Sequence, residues 1–178
     1  MHNSPPENNF SWHHPALYVA NTTAGIGVFT NQRFRKNTMV ALCGGFVMTL
    51  AEERTLPEKI RDLSHQIHDN FVIGPRHISQ TGLTDRFNHS CAPNIGFQGQ
   101  IALVTIKTVL PGQELTFDYA MAISGEPYEL NCRCGNEHCR GIVTADDWKI
   151  SRLQKNYKGY FQPYIEEKIA RMAGRASR

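Results

Sequence analysis

The chain has 178 residues, 40% of them hydrophobic and 20% charged, enough for one core of ordinary domain size. Its mean hydropathy is −0.41, and no apolar run approaches the ~20 residues that a membrane helix needs. The formal charge is +3; four thiolates holding one divalent ion would take two away and leave +1, so bulk charge gives nucleic-acid binding little support.

Residues 1–15 read as a polar N-terminal tail with no signal-peptide core, so the protein is expected inside the cell, in cytoplasm or nucleus. His13 and His14 are adjacent and point different ways, which argues against a shared metal. A short strand is expected over 17–19 and another from Val28, after a turn at Gly25-Ile26-Gly27. That segment lacks the third glycine of a dinucleotide fingerprint. Residues 39–42 and 46–48 read as strands around Cys43-Gly44-Gly45. Thr49 and Glu52 have capping-box spacing, and Leu56, Ile60 and Leu63 continue a helix, with Pro57 in a first turn. Residues 71–73 read as a strand closed by Gly74-Pro75.

A loop follows with unusual chemistry: Arg86-Phe87-Asn88-His89-Ser90-Cys91-Ala92-Pro93-Asn94. Pro93 and Asn94 exclude a regular helix or central strand there, and so dense a loop suits a site. Residues 96–98 and 101–106 read as a hairpin around Gly99-Gln100. Leu115, Phe117 and Tyr119 alternate with Thr116 and Asp118, a strand pattern. Residues 126–141 read as irregular and cysteine-rich. A final helix carries Ile165, Ile169 and Met172 on one face and starts near Pro163. Many short strands and few helices predict a mainly β, β-rich α+β domain.

Cys132-x-Cys134-x4-Cys139 offers three thiolates in a segment with too little apolar surface to fold alone. Cys91 is the natural fourth ligand for a closed structural zinc site, with His138 and His89 as rivals. Cys43 is expected outside it, as a small buried hydrophobe.

Three motifs, in order, resemble those of the SET-domain protein lysine methyltransferases: Ala24-Gly25-Ile26-Gly27-Val28-Phe29, Asn88-His89-Ser90-Cys91-x-Pro93-Asn94, and Gly112-Gln113-Glu114-Leu115-Thr116-Phe117-Asp118-Tyr119. The cysteine segment is similar to the family's post-SET zinc segment. The resemblance implies small β-sheets with a pseudoknot formed by the two late motifs. It places the SET domain over 16–121, the post-SET segment over 122–147 and a helical extension over 148–178. The implied activity is methyl transfer from S-adenosylmethionine to a lysine of a protein or peptide, a histone being one candidate, with one structural zinc ion. From charge and hydropathy, no membrane partner and no direct nucleic-acid partner is expected. Gly25, Ile26 and Gly27 would line the cofactor with their backbone, and Asn88 and His89 would bind it. Tyr119 would be the catalytic tyrosine and also touch the cofactor. Phe97 and Phe117 would wall the lysine channel, and the segment from Ile142 toward Trp148 would close it. In this family a phenylalanine at the place of Phe117 goes with multiple methylation.

Leu42-Cys43-Gly44-Gly45 lacks the tyrosine and Gly-Glu that many relatives carry there, which keeps an alternative in view: a SET-like module that binds peptide or cofactor without turnover. Singly, each residue has an ordinary structural reading. Tyr119, Phe97 and Phe117 could be core, Asn88 a turn residue, and Gly25 and Gly27 plain turn glycines. Their joint order beside a matched cysteine segment favours the enzyme.

Overall fold

The computed structural model describes residues 10–23, 25–125 and 127–176; the first nine residues, Ala24, Glu126 and the last two lie outside the described residues. The strands in chain order are β1 (Trp12–His13), β2 (Leu17–Thr22), β3 (Gly25–Thr30), β4 (Met39–Leu42), β5 (Phe46–Thr49), β6 (His65–His68), β7 (Phe71–Gly74), β8 (Asn88–His89), β9 (Ile95–Gln98), β10 (Ala102–Thr105), β11 (Glu114–Phe117), β12 (Glu129–Asn131) and β13 (Ile142–Thr144). The helices are α1 (Leu50–Glu53), α2 (Glu58–Arg61), α3 (Ser151–Asn156) and α4 (Pro163–Ala176). They make the β-rich architecture expected: four-stranded sheets ordered β1-β4-β10-β9 and β2-β3-β11-β8, a three-stranded sheet β5-β7-β6, and the ribbon β12-β13.

Several elements differ from the sequence reading for identifiable reasons. The tail does not run to residue 15, because Trp12 and His13 pair with Leu42 and Ala41 and make β1 an edge strand. The capping box at Thr49 forms, with the Thr49 N–H donating to Glu52 Oε2 at 2.8 Å and the Glu52 N–H to Thr49 Oγ1 at 3.2 Å. The helix it opens does not continue through 63. Pro57 is the N-cap of a separate helix, since proline disfavours a helical conformation in the residue before it. β6 has a polar sequence and no strand signal. It is held through Gln66, whose side chain donates to the Ser124 carbonyl at 2.8 Å and accepts from the Ser124 N–H at 2.9 Å. On α4, Ile165 is fully buried and Ile169 packs on the core, whereas Met172 is exposed as the helix runs out past the domain.

β11 is the strand around which the site is built. It lies between β3, antiparallel, and β8, parallel. Flanked on both edges and covered on both faces, Leu115, Thr116 and Phe117 are all buried, so its alternating sequence reports neither face as solvent. The strand stops at Phe117. Asp118 accepts the Ala120 N–H at 3.0 Å and caps a 3-10 turn over Tyr119–Met121, so Tyr119 leaves the strand rather than ending it.

Candidate active site

The loop after β8 is bound to β11 along its length. Asn88 and His89 pair with Thr116 and Phe117, and the Ser90 N–H donates to the Phe117 carbonyl at 3.1 Å. Asn94 behaves like an added backbone unit. Its Nδ2 donates to the Glu114 carbonyl at 2.7 Å, and its Oδ1 accepts the Thr116 N–H at 2.9 Å. The two late motifs are therefore side by side, though separated in sequence.

The same sheet brings the glycine segment to Asn88. Asn88 Nδ2 donates to the Ile26 carbonyl at 3.1 Å and to Glu114 Oε1 at 2.8 Å. Gly25 has φ of 107°, a conformation open to glycine and costly for other residues. A Cβ on Gly27 would fall on the Glu114 carboxylate. Gly27→Ala is therefore expected to fold, because Glu114 can swing aside, but to break the Asn88–Glu114 bond. The expected result is a Tm lower by a few degrees, for a cost of about 1 kcal/mol, and weakened ligand binding at Asn88, read by thermal melts and calorimetry.

On the other side of Tyr119 is a cavity of about 450 Å³. Phe87, Phe117, Tyr119 and Tyr128 border it with aromatic surface, and α1 and α2 supply a charged rim. Phe117 and Tyr119 have ring centroids 4.9 Å apart, and Tyr128 lies 6.2 Å from Tyr119. Phe97 is fully buried behind Phe117, edge-on at 5.4 Å, so it supports this wall without bordering the cavity. Trp148 is not brought to the cavity. It is buried in the main core with the Lys168 ammonium 5.8 Å over its ring, because Asp147 in the same turn is drawn inward by Arg140. The aromatic contributed from the cysteine side is Tyr128. Its sequence signal, a tyrosine just before the cysteines, carried no weight alone.

Tyr119 joins the two sides. Its N–H donates to His89 Nδ1 at 3.1 Å, while its hydroxyl reaches the Phe87 carbonyl at 3.4 Å. Burial pushes that hydroxyl well above the ordinary tyrosine range, with Tyr128, Asp62 and Glu114 adding to the effect. It is a phenol at neutral pH. His89 is pulled down to about 4, chiefly by burial, with the Asp118 charge opposing that and Arg140 reinforcing it. The ring is neutral, and because Nδ1 accepts from Tyr119, its proton sits on Nε2, which points at Cys91 Sγ at 3.3 Å. Both ring nitrogens of His89 are thus engaged within the protein.

Cys91, Cys132, Cys134 and Cys139 place their sulfurs within 4.8 Å of one another, with Cys91 and Cys132 at 3.9 Å. A tetrahedral thiolate site with metal–sulfur bonds of about 2.3 Å has sulfurs about 3.8 Å apart, so this donor set fits a closed metal site. His138 points to Glu137 in solvent. Cys43 is buried elsewhere, its thiol pushed up to about 12 by burial and by Asp85. Between β12 and β13, Arg140 clamps the segment to the rest. It donates to both Asp118 oxygens at 2.6 and 2.7 Å and to Asp147 at 2.6 Å, and its N–H reaches Cys91 Sγ at 3.4 Å. Asp118 is fully buried, so this guanidinium neutralises a carboxylate that has no solvent.

A family model described as the SET domain matches residues 25–120. The chain belongs to the SET-domain family. Its relatives include human histone-lysine N-methyltransferase 2D, 26% identical over 140 residues, covering 72% of this chain and 2% of that protein. Mouse histone-lysine N-methyltransferase SUV39H2 is 36% identical over 160 residues, covering 71% of this chain and 33% of that one. Among solved structures, KRYPTONITE in complex with mCHG DNA and SAH aligns with a TM-score of 0.54 at 23% identity, over 71% of this chain and 28% of that one. This SET domain chain thus spans well under half the length of these relatives.

Two residues that matter, one in the SET domain and one in the cysteine segment after it, carry no role that sequence alone assigns. Glu114 orients Asn88, and Arg140 fixes the cysteine segment. Glu114 stands inside the Gly112–Tyr119 motif, and its place at the start of that strand is its only signal in the sequence. Arg140 gives no sign of its role beyond its position next to Cys139. No helix among the described residues is long and apolar enough to cross a membrane.

Proposed function

We propose that the protein is a protein-lysine N-methyltransferase that moves a methyl group from S-adenosylmethionine to a lysine side chain, with one zinc ion on Cys91, Cys132, Cys134 and Cys139. The observation that supports it most is the double engagement of Tyr119: its backbone is fixed to His89 on the Asn88 side, and its ring and hydroxyl face an aromatic cavity. When bound, the cofactor supplies a sulfonium-activated methyl group. Gly25, Ile26 and Gly27 present backbone to it, and Asn88 is held ready by Glu114. His89 contributes through its main chain and by fixing Tyr119, since its ring nitrogens are occupied.

The cavity is the lysine side. Phe87, Phe117 and Tyr119 disfavour a charged ammonium and so lower the amine's pKa from its ordinary value of about 10.4. The Tyr119 phenol donates toward Phe87 and keeps lone pairs to accept an amine N–H, aiming the nitrogen lone pair at the methyl. Alignment and exclusion of water are then the main sources of rate. Phe117, carrying no hydroxyl, leaves room for an amine already bearing methyl groups. Carboxylates on the cavity rim suit a basic peptide and repel phosphate, so the substrate is a protein segment, a histone being one candidate. A cytoplasmic or nuclear site of action suits such a substrate. KRYPTONITE has been solved with an H3(1-15) peptide and SAH, and this likeness motivates that peptide as a first substrate.

The test is incubation of the protein with labelled S-adenosylmethionine and histone or ribosomal-protein mixtures, alongside calorimetry with the cofactor. Label on lysine supports the reading. Cofactor binding with no transfer to any mixture points to the binding module, and no cofactor binding removes the enzyme reading.

A further inference from the structure

Two polar groups on the cavity wall take no part in holding Tyr119, Asn88 or the cysteines. Asp62 caps the C-terminal end of α2, its N–H bonded to the Glu58 carbonyl at 3.0 Å. Its carboxylate makes no hydrogen bond or ion pair among the described residues, and it borders the cavity together with Tyr119 and Tyr128. The Tyr128 hydroxyl is likewise without a hydrogen-bond partner among the described residues, and its ring meets Tyr119 at 6.2 Å and 58°. The Asp62 charge acts on both phenols, adding to burial in pushing Tyr128 up to about 12, so the three groups face one space.

Local stability does not account for Asp62. Asp62 is exposed just past the one-turn helix α2, where its side chain makes no capping bond. Among the described residues the rim carries carboxylates on Glu53, Glu58, Asp62 and Asp85 against guanidinium groups on Arg54 and Arg61, an excess of negative charge around an aromatic wall. A carboxylate and a phenol, neither with a partner among the described residues, beside two ring faces are matched by one ligand chemistry, an alkylammonium. The carboxylate takes its charge and N–H groups, the rings take its cation–π attraction, and the Tyr128 oxygen accepts one further N–H.

We propose that Asp62 and Tyr128 form the docking point for the ammonium of the incoming lysine at the cavity mouth, the position it holds before its amine reaches Tyr119. The proposal rests on the methyltransferase reading for the identity of the ligand and not for the site. Asp62 is a specificity-determining residue here: it selects a cationic side chain over an apolar one of equal length, and the chain then moves inward to an environment that favours the neutral amine.

The site can be tested without turnover. Tyrosine-ring NMR of the intact protein is followed while n-butylammonium chloride or n-butanol is added at low salt. Ammonium is expected to shift Tyr128 and Tyr119 and to bind at least about fivefold tighter than the alcohol, a preference that falls as salt screens the carboxylate. Asp62→Asn, which removes no observed bond and should melt as wild type does, is expected to abolish the preference; Tyr128→Phe should keep it while weakening both ligands. Equal binding of the two probes by wild type, or an undiminished preference in Asp62→Asn, overturns the proposal. In the transfer assay, Asp62→Asn should raise KM for the lysine peptide about tenfold with kcat changed less than about twofold. Ammonium preference in a protein that transfers no methyl sustains the docking point and removes the enzyme reading. Active transfer with an unchanged KM in Asp62→Asn does the reverse.

Discussion

Tyr119→Phe is expected to slow methyl transfer by about 100-fold or more while leaving cofactor affinity within about twofold of wild type. The two effects separate because the residue's two roles use different atoms. The contact with His89 is made by the Tyr119 backbone N–H, which the substitution keeps. The ring also stays, with its packing against Phe117 at 4.9 Å and His89 at 5.1 Å. Only the hydroxyl is lost, and its one bond among the described residues, to the Phe87 carbonyl, is long at 3.4 Å, so stability should fall by no more than about 1 kcal/mol. What goes is the acceptor that aims the amine. Burial keeps this group a phenol, so the loss is one of positioning and not of a general base. Single-turnover transfer of labelled methyl, with calorimetry for the cofactor, reads both quantities. A variant within a few-fold of the wild-type rate would show that the hydroxyl does not align the substrate. A variant with weakened cofactor binding would show that the ring, and not the backbone, supports that side.

The site was legible where chemistry is concentrated in a few residues and opaque where it depends on who meets whom. The Asn88–Asn94 loop, the glycine segment, Tyr119 and the four cysteines each declare their chemistry through residue type and spacing, and the fold brings them together. Aromatic residues carry no such address. Phe97, Phe117, Tyr128 and Trp148 are equally able to line a cavity or fill a core. Which does which is decided by Arg140 turning the Asp147 segment inward and by the β12–β13 ribbon holding Tyr128 out over Tyr119. The same limit governs the strands. β11 was readable because its residues favour strands, whereas β6 exists through the Gln66–Ser124 bonds between residues far apart in sequence. Pro57 split a helix whose apolar spacing looked continuous, a case in which one backbone constraint outweighs a side-chain pattern.

Cys91→Ser is expected to remove the bound zinc, from one equivalent to none, and to weaken cofactor binding by at least about tenfold in the same protein. The coupling follows from where the four sulfurs come from. Three lie in the eight residues between Cys132 and Cys139; the fourth is on the loop that carries Asn88 and His89. Cys91 Sγ also accepts from His89 Nε2 at 3.3 Å and from the Arg140 N–H at 3.4 Å. Without the thiolate, His89 Nε2 loses the sulfur that anchors the ring, and His89 is what holds the Tyr119 backbone. The Arg140 clamp would remain, since its bonds to Asp118 and Asp147 do not pass through sulfur; removing it instead should cost about 3–5 kcal/mol by stranding buried carboxylates. Cys43→Ser is the matched control, a buried cysteine outside the cluster whose loss should lower stability yet leave one zinc per chain. Metal content by atomic emission, cofactor binding by calorimetry and thermal melts separate the cases. If Cys91→Ser kept its zinc, the fourth ligand would lie elsewhere. If it lost zinc but bound cofactor as wild type does, the metal would hold only the β12–β13 ribbon, and the geometry of Asn88 and His89 would be set by β11 alone.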